Sequence, residues 1–478
     1  MMTEKKHAKP CWQRGDKHMA SFTKADIQVA TGAAVAVSAD TDLFCSVETD
    51  TRVVRSGALF VALKGERFDG HDFVKNAVQQ GAAGIIVSQM RDEYQGLGVS
   101  VFLVEDTLKA YQELARFHRR RFSIPVIAVT GSVGKTSTRN MIASVLSQKY
   151  KVLQTEKNFN NEIGLPKTLL QLTEQHEACV VEMGMRGLGQ IAELAAIAEP
   201  TIGVVTNVGN SHIELLGSQE NIAKAKSELV SSLPENGTAI LNHDDPFVSA
   251  MASLCRGSVV TYGTEGKADI WADNVAVSEQ GLTFQCHCAG DVFDAHISVI
   301  GRHHVYNGLA AAAVGWITGL KAADIQRGLE AYKGVPMREE LLHLDSYTFI
   351  NDTYNANPAS MNAAIHSLKT LTSGRKIAVL GGMLELGDWA KAEHEKIGQV
   401  IAASDIDILI TMGDLAGYIA DAAKECGMKQ VYAVETHEEC ASCLKKLLQP
   451  GDTVLVKGSR GFAMEKVLSY FERKSCEC

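Results

Sequence analysis

The chain has 478 residues, of which 46% are hydrophobic and 22% are charged, and its formal net charge is -9. The hydrophobic and charged fractions are ordinary for a globular protein and argue against long disordered regions. The acidic balance disfavours nucleic-acid binding, because neutralising phosphates needs a basic face.

No apolar run approaches the roughly 20 residues that a membrane-spanning helix needs. The first 18 residues carry charges but lack the apolar segment of a signal peptide. We therefore expect a cytoplasmic protein without a membrane span, in which residues 1–18 form a disordered leader. The 11 cysteines do not predict a disulfide framework. Cys440 and Cys443 in "CASC" are interpreted as small buried thiols on a helix rather than as a metal or redox site.

Apolar strand-like runs alternate with helical stretches along almost the whole chain, a pattern typical of parallel sheets with crossover helices. The sequence predicts an α/β fold of three domains, at residues 19–122, 123–333 and 334–478. The first boundary follows the amphipathic "TLKAYQELARFHRRRF", and the second lies where Gly334 and Pro336 interrupt the pattern. The middle domain should hold a mainly parallel sheet of the phosphate-loop type, and the last domain a Rossmann-like, doubly wound sheet.

The stretch "VIAVTGSVGKTSTRN", residues 126–140, predicts a strand, a glycine-containing loop and a helix. Its G-x-x-G-K-T spacing is shorter than the usual G-x-x-x-x-G-K-[ST] phosphate loop. In such a loop the backbone N–H groups and Lys135 would bind phosphate, and the Thr136 hydroxyl would hold Mg²⁺. A Gly/Ser turn with a solvated lysine is the alternative for so short a motif.

Polar residues also follow later strands. Glu182 ends "ACVVE", where its carboxylate and Thr136 could together ligate Mg²⁺, or it could be a strand-end acid in solvent. His212 lies in "TNVGNSHIELLGS" and could ligate a second cation, although a lone histidine is more often structural. Lys224 and Lys226 in "NIAKAKSELV" are, by themselves, ordinary surface lysines.

Taken in order, these motifs resemble those of the Mur ligase family, ATP-dependent amide-forming enzymes of peptidoglycan precursor synthesis. The resemblance starts near residue 20 and runs through "TGSVGKTS", "VEMG", "NVGNSHIELLGS", "AKAKSEL", "NGLAAAA", "MREE" and "NDTYNANP". The stretches "KNFNNEIGLPKTLL", "DTYNANPASMNAAI" and "GGMLELGD" are similar to those of the members that add D-alanyl-D-alanine. The "DNPR" motif typical of the members that add the third residue does not occur, which favours the dipeptide-adding step.

The resemblance implies a reaction between small molecules. The terminal carboxylate of UDP-N-acetylmuramoyl-tripeptide (UDP-MurNAc-tripeptide) would attack the γ-phosphate of ATP, and the amine of D-Ala-D-Ala would displace the resulting acyl phosphate. Two Mg²⁺ ions would be held by Thr136, Glu182, His212 and Lys226. Lys226 would serve as a carbamylated lysine, with an unmodified lysine as the equal alternative. The first domain would bind the UDP-sugar, and a monomer without a nucleic-acid partner is expected.

The resemblance also implies site residues by position. Catalytic roles fall to Lys135, His212, Lys226 and Arg338. The ATP-binding residues would be Gly131, Ser132, Val133, Gly134, Lys135, Thr136, Ser137, Asn307, Arg338 and Asp352. The substrate-binding residues would be Thr51, Arg52, Lys64, Gly65, Asn160, Asn161, Asn355 and Asn357.

Several of these residues have a plainer interpretation. Asn307 would read adenine, or it caps a helix. Arg338 would reach the phosphates from the last domain, or it is a surface charge at a hinge over residues 333–337. Asp352, Asn355 and Asn357 would face nucleotide and dipeptide, although a turn that ends at a proline explains the asparagines nearly as well.

Two other functions stay open at the level of sequence. The chain could be another ligase of the same family, such as the third-residue-adding enzyme or a folate polyglutamylase. It could also be a nucleotide-switch binding protein that makes no bond. That protein would use the same phosphate loop but would leave "NDTYNANP" and the first domain unexplained.

Overall fold

The computed structural model describes residues 20–210, 213–265, 268–371 and 374–472. The chain divides into two compact units. Met1–Ile127, Tyr150–Met183 and Ala192–Pro200 form the first unit, and Ala128–Lys149, Gly184–Ile191 and Thr201–Cys478 form the second. None of the described helices is both long and apolar enough to cross a membrane.

Strands and helices alternate as the sequence predicts. The strands are β1 (Phe22–Thr23), β2 (Ala34–Val37), β3 (Leu43–Phe44), β4 (Val47–Glu48), β5 (Ala58–Val61), β6 (Ala82–Val87), β7 (Ser100–Leu103), β8 (Val126–Thr130), β9 (Val152–Gln154), β10 (Ala178–Glu182), β11 (Ile202–Val205), β12 (Thr238–Asn242), β13 (Ser258–Gly263), β14 (Ile270–Ser278), β15 (Gly281–Cys288), β16 (Asp291–Ile297), β17 (Glu340–Leu344), β18 (Tyr347–Asp352), β19 (Lys376–Gly381), β20 (Ile408–Met412), β21 (Val431–Val434) and β22 (Thr453–Lys457).

The helices connect these strands. They are α1 (Lys24–Thr31), α2 (Val74–Gln80), α3 (Thr107–Arg119), α4 (Lys135–Leu146), α5 (Gly164–Leu169), α6 (Gln190–Ala198), α7 (Ile213–Leu216), α8 (Gln219–Ser231), α9 (Pro246–Ala250), α10 (His304–Ile317), α11 (Ala322–Ala331), α12 (Pro358–Leu371), α13 (Ala390–Ala402), α14 (Asp414–Glu425), α15 (His437–Leu447) and α16 (Glu465–Leu468).

The first unit is built on a five-stranded sheet of order β2-β7-β6-β5-β4. Neighbours from β4 to β7 are parallel, and β2 is antiparallel to β7 at the edge. Phe60, Ile85 and Val101 pack with Val74 of α2 in one apolar cluster. The parallel pair β9 and β10 also belongs to this unit.

In the second unit, β11, β12, β13 and β14 are parallel neighbours, and β15 and β16 extend them as an antiparallel meander. The alanine-rich α10 packs against α4. Ala310 to Ala313 are fully buried. Their small side chains let the two helix backbones approach closely, which places α10 beside the helix that follows the phosphate loop.

The second unit also contains a six-stranded sheet of order β17-β18-β22-β19-β20-β21. All its pairs are parallel except β17 with β18. Separate apolar clusters contain Ile350 and Val379, from two of its strands. The predicted α/β class is therefore confirmed, with sheets that are mixed but mostly parallel. The boundaries between the three predicted domains stay predictions.

Candidate active site

The phosphate loop has the strand-loop-helix context that its sequence predicts. It joins the end of β8 to the start of α4, with Gly131 at φ 150° and Gly134 at φ 83°. A Cβ on Gly131 would lie 1.8 Å from Thr206 Oγ1, and a Cβ on Gly134 would lie 3.0 Å from Asn307 Oδ1. Glycine is required at both positions, by backbone conformation and by close approach.

The segment after β11 fixes the backbone of this loop. The Ser132 N–H donates to the Asn207 carbonyl at 3.0 Å, and the Val133 N–H donates to Asn207 Oδ1 at 2.9 Å. Thr206 Oγ1 and Asn207 Nδ2 both donate to the Val133 carbonyl, at 2.7 and 3.0 Å. Buried polar groups are costly when unpaired, so this reciprocal bonding holds the loop in one conformation.

The polar side chains of the loop are held against the protein rather than extended into solvent. Lys135 Nζ donates to the Gly131 carbonyl at 2.8 Å, so the ammonium lies over the loop. Ser132, Thr136 and Ser137 are nearly fully buried. The alternative of a plain turn with a solvated lysine does not fit these contacts.

Arg338 reaches the loop from a distant part of the sequence. Its Nη2 donates to Thr136 Oγ1 at 3.2 Å, across a separation of 202 residues. Its guanidinium also lies 4.2 Å from the ring centroid of Tyr354, in cation–π geometry. The interpretation of Arg338 as a surface charge is therefore wrong. The arrangement puts a second cation beside the phosphate loop.

Asn307 occupies the middle of a polar chain. It lies within α10 rather than before its first residue, so the helix-cap interpretation is wrong. Its Oδ1 accepts from Thr138 Oγ1 at 2.9 Å, and its Nδ2 lies 3.0 Å from His304 Nδ1. The adenine contact stays a prediction.

Lys226 is not a surface lysine. Only 2% of its surface is exposed, whereas Lys224 on the same helix is exposed. Burial, together with the positive charge of Lys135, lowers the pKa of Lys226 well below its usual value. Among the described residues no ion pair involves Lys226. The site therefore favours the neutral amine more than an exposed position such as that of Lys224 does.

The polar residues after β18 form a second group. Lys457, on the neighbouring β22, is almost fully buried and donates to Asp352 at 2.5 Å and to the Asn355 carbonyl at 3.0 Å. Asn355 Oδ1 accepts from the Ala356 N–H. Asn357 Oδ1 accepts from the Ser360 N–H at 2.9 Å, at the start of α12. These bonds show Asn357 capping the start of α12, and the substrate contacts of both asparagines stay predictions.

The chain is similar in sequence to known proteins over most of its length. Residues 44–119 match the catalytic-domain model of the Mur ligase family, residues 129–315 the Mur ligase middle domain, and residues 337–460 the Mur ligase glutamate ligase domain. A UDP-N-acetylmuramoyl-tripeptide–D-alanyl-D-alanine ligase of Bacillus subtilis is 40% identical over 88% of this chain and 92% of its own length. The protein of the same name from Synechocystis is 42% identical, over 88% and 90%. The chain belongs to the Mur ligase family.

This chain is also similar in structure to solved MurF proteins. A MurF crystal structure from Acinetobacter baumannii superposes with a TM-score of 0.88 at 32% identity, covering 95% of this chain and 99% of that one. The MurF ligase of Thermotoga maritima, in complex with ADP, has a TM-score of 0.81 at 31% identity, covering 90% and 97%.

One pair of predicted Mur ligase site residues meets in the first unit. Glu182, 3% exposed at the end of β10, accepts a hydrogen bond from Asn160 Nδ2 at 2.8 Å. The interpretation of Glu182 as an acid in solvent is therefore wrong. A buried carboxylate needs a compensating partner, and its hard oxygens are the donors that Mg²⁺ prefers. Asn161 Oδ1 accepts from the Gly164 N–H at the start of α5.

The predicted sugar-nucleotide residues also lie at one edge of a sheet. Thr51 and Arg52 follow β4, Lys64 and Gly65 follow β5, and these two strands are parallel neighbours. The side chain of Arg52 is 86% exposed and pairs with Asp50 at 2.6 Å. Loops at the carboxyl ends of adjacent parallel strands are where such sheets bind ligands.

Several polar residues that contact or neighbour the predicted site residues have no motif of their own. They are Thr138, Thr206, His303, His304, Glu339 and Lys457. For three of them the sequence offers only their place beside a motif. Glu339 lies in "MREE", and His303 and His304 come just before "NGLAAAA".

Three other predictions concern residues away from this geometry. His212 and the leader at residues 1–18 lie outside the described residues. Cys440 and Cys443 are free thiols on α15, and Cys440 is buried as predicted, whereas Cys443 is only partly buried. Cys45 is disulfide-bonded.

Proposed function

We infer that this chain forms an amide bond between the terminal carboxylate of UDP-MurNAc-tripeptide and the amine of D-Ala-D-Ala, with hydrolysis of ATP. The observation that carries the inference is the similarity to relatives named for this reaction. They are 37% to 42% identical over 88% of the chain. The reaction belongs to peptidoglycan precursor synthesis.

The first step needs charge neutralisation. A carboxylate that attacks a γ-phosphate brings two anions together, and the barrier falls when fixed cations offset the charge that develops. Lys135 and Arg338 are those cations, one over the phosphate loop and one at Thr136. The bond from carboxylate oxygen to phosphorus forms as the bond to the ADP oxygen breaks.

The second step needs an oriented amine. The D-Ala-D-Ala amine attacks the acyl carbon, phosphate leaves with the electron pair, and the amine loses a proton. We place the dipeptide beside the turn that contains Asn355 and Asn357, since it follows β18 at the carboxyl end of the sheet. Lys457 fixes this turn through Asp352 and the Asn355 carbonyl. Asp352 and Asn307 are proposed as ATP contacts.

The Thr136 hydroxyl and the Glu182 carboxylate offer oxygen donors of the kind that Mg²⁺ prefers. We propose Thr136, Glu182 and His212 as ligands, joined by Lys226 once it is carbamylated, for two ions in all. When bound, Mg²⁺ would neutralise phosphate oxygens. Carbamylation is supported by the burial of Lys226 and by its lowered pKa, since burial and then the charge of Lys135 favour the neutral amine that reacts with CO₂. A carbamate would also place an anion near the Lys135 cation.

The test is a reconstituted reaction. Purified chain, ATP, UDP-MurNAc-tripeptide and D-Ala-D-Ala should yield equal amounts of phosphate and of the UDP-MurNAc-pentapeptide seen by mass spectrometry. Omitting either D-Ala-D-Ala or the tripeptide should remove the product. Phosphate release without product would identify a nucleotide switch. Product from UDP-MurNAc-dipeptide and a diamino acid would identify the third-residue-adding enzyme. The cytoplasmic location and the monomeric state stay predictions, to be checked by fractionation and size-exclusion chromatography.

A further inference from the structure

Three side chains that could bind a metal meet in the second unit. They are His303, just before α10, His304, its first residue, and Glu339, which follows Arg338. One candidate ligand atom from each lies within 4.8 Å of the other two. Glu339 Oε2 lies 3.3 Å from His303 Nε2 and 3.5 Å from His304 Nε2.

These distances are long for hydrogen bonds. An N–H···O bond spans about 2.7–3.2 Å, and a charge-assisted one is shorter still. Glu339 Oε1 has such a bond, accepting from Ser367 Oγ at 2.8 Å. Within the described part of the chain, Glu339 Oε2 has no hydrogen-bond partner although it is buried. The nearest polar atoms given for this oxygen are the two imidazole nitrogens, at separations longer than a well-formed hydrogen bond.

A tetrahedral metal accounts for the spacing. Zinc–nitrogen and zinc–oxygen bonds of about 2.0–2.1 Å at tetrahedral angles put neighbouring ligand atoms about 3.3–3.4 Å apart. The two nitrogen–oxygen separations in the structure agree with that value to within 0.2 Å. A metal bound to all three ligand atoms would replace these two long contacts with coordinate bonds.

The exposure of the three residues also suits a metal. The side chains of His304 and Glu339 are each 5% exposed, whereas that of His303 is 37% exposed. One side of the cluster is thus open to solvent, where water can complete the coordination. Glu339 has a φ of 48°, an uncommon backbone conformation for a non-glycine residue.

We propose that His303, His304 and Glu339 bind one divalent transition metal of the Zn²⁺ class, with solvent as fourth ligand. Two imidazoles and one carboxylate favour Zn²⁺ or Co²⁺ over the Mg²⁺ assigned to the phosphate site, which prefers oxygen. The two histidines precede the predicted boundary at 333/334 and Glu339 follows it. The metal therefore links the two segments that this hinge joins.

Metal binding would also affect Asn307, which lies between His304 and Thr138. This consequence rests on the proposed function, in which Asn307 contacts ATP. A histidine bound through Nε2 carries its proton on Nδ1, which needs an acceptor. Asn307 Nδ2 now faces His304 Nδ1, so metal binding favours a reversed amide, with Oδ1 toward His304 and Nδ2 toward the Thr138 hydroxyl. A hydroxyl can accept as well as donate. Metal binding should therefore change the affinity for ATP.

The test uses the untagged full chain after chelator treatment. Calorimetric titration with Zn²⁺ should show one tight site per chain, and Co²⁺ should give the visible absorption of tetrahedral coordination. Glu339→Gln, His303→Asn and His304→Asn should each weaken Zn²⁺ binding about 100-fold or more. His296→Asn, which removes a half-buried histidine on β16, should leave binding unchanged.

Several results would overturn the proposal. They are absence of a tight site in the wild type, unchanged affinity in His303→Asn, or a thiolate-to-cobalt charge-transfer band, which would place the ion on cysteines. Should the Glu339 variant fail to fold, as its thermal unfolding would reveal, the partly exposed His303→Asn still decides the result. Because metal binding is measured without substrates, its failure is distinguishable from failure of the proposed ligase reaction.

Discussion

Lys224 and Lys226 show how two identical residues receive opposite environments. They are two positions apart on α8, so at about 100° per residue they lie on nearly opposite sides of the helix. Lys224 faces solvent, and Lys226 is buried with a pKa lowered first by burial and then by the Lys135 charge. The same side chain is a solvated cation in one place and a candidate nucleophile toward CO₂ in the other.

Replacing Lys226 by alanine should therefore remove most activity, and short aliphatic carboxylates such as acetate should restore part of it. The added carboxylate would supply the two oxygens of the lost carbamate. Steady-state amide formation with and without acetate measures the effect, and Lys224→Ala is the matched control. Activity of Lys226→Ala close to the wild type, or a crystal structure with an unmodified amine far from any metal, would count against the carbamate.

Replacing Lys135 by methionine should lower turnover by about 10²–10³-fold or more, the range seen when one fixed charge-stabilising group is lost. Folding should survive, because the Gly131 carbonyl that Lys135 contacts belongs to a loop held independently by Asn207. Product formation and thermal unfolding are measured together, with Lys224→Met as control. A variant that folds and ligates at the wild-type rate would refute the phosphate-loop assignment.

At the scale of elements, the packing of two helices brings Asn307 and Thr138 together. α10 lies against α4 through its fully buried alanines, which brings Asn307 within 2.9 Å of Thr138. In the first unit, a buried hydrogen bond joins α3 to the segment that follows α5. His118 Nε2 donates to the Leu172 carbonyl at 2.9 Å, and its Nδ1 has no partner among the described residues. A proton on Nδ1 would therefore be buried without an acceptor.

This environment of His118 predicts that the free energy of unfolding falls at acidic pH. Burial lowers the pKa of His118 from 6.5 to about 4. The unfolded chain binds a proton below pH 6.5 and the folded one only below about pH 4, so stability is fully present above 6.5 and is lost as the pH falls through this window. At about 1.4 kcal/mol per unit, the free energy of unfolding should drop by about 3 kcal/mol.

Urea unfolding at several pH values checks this expectation. His118→Gln should flatten the decline between pH 6.5 and 4, because glutamine keeps a donor for the Leu172 carbonyl and does not titrate. His343→Gln, on the exposed part of β17, should keep the slope of the wild type. An equally steep decline in His118→Gln would assign the acid sensitivity to other groups.

At the scale of the whole chain, the proposed reaction requires movement at the hinge. Gly334, within the predicted hinge at residues 333–337, has a φ of 82°, which glycine adopts readily. Arg338, just after the hinge, contacts Thr136. We expect these segments to separate when product leaves, because lid and domain motions commonly gate turnover.

A reversible cross-link tests this requirement. A Cβ built on Gly209 lies 4.0 Å from Ala359 Cβ, within the 3.5–4.5 Å range of disulfides. The double variant Gly209→Cys and Ala359→Cys should lose multiple turnover by tenfold or more when oxidised, and dithiothreitol should restore it. ATP binding should persist in both states. The two single variants are the controls, and full activity in the verified cross-linked protein would contradict the hinge.

The sequence alone determined the α/β class, the strand-loop-helix at residues 126–140 and the Mur ligase family, because these depend on local periodicity and on motifs contiguous in the chain. Only the tertiary structure decided that Lys226 is buried, that Arg338 contacts Thr136 across 202 residues, and that Glu339 meets His303 and His304. Such contacts depend on how helices and strands pack. A residue's local pattern does not encode which distant surface will exclude it from water.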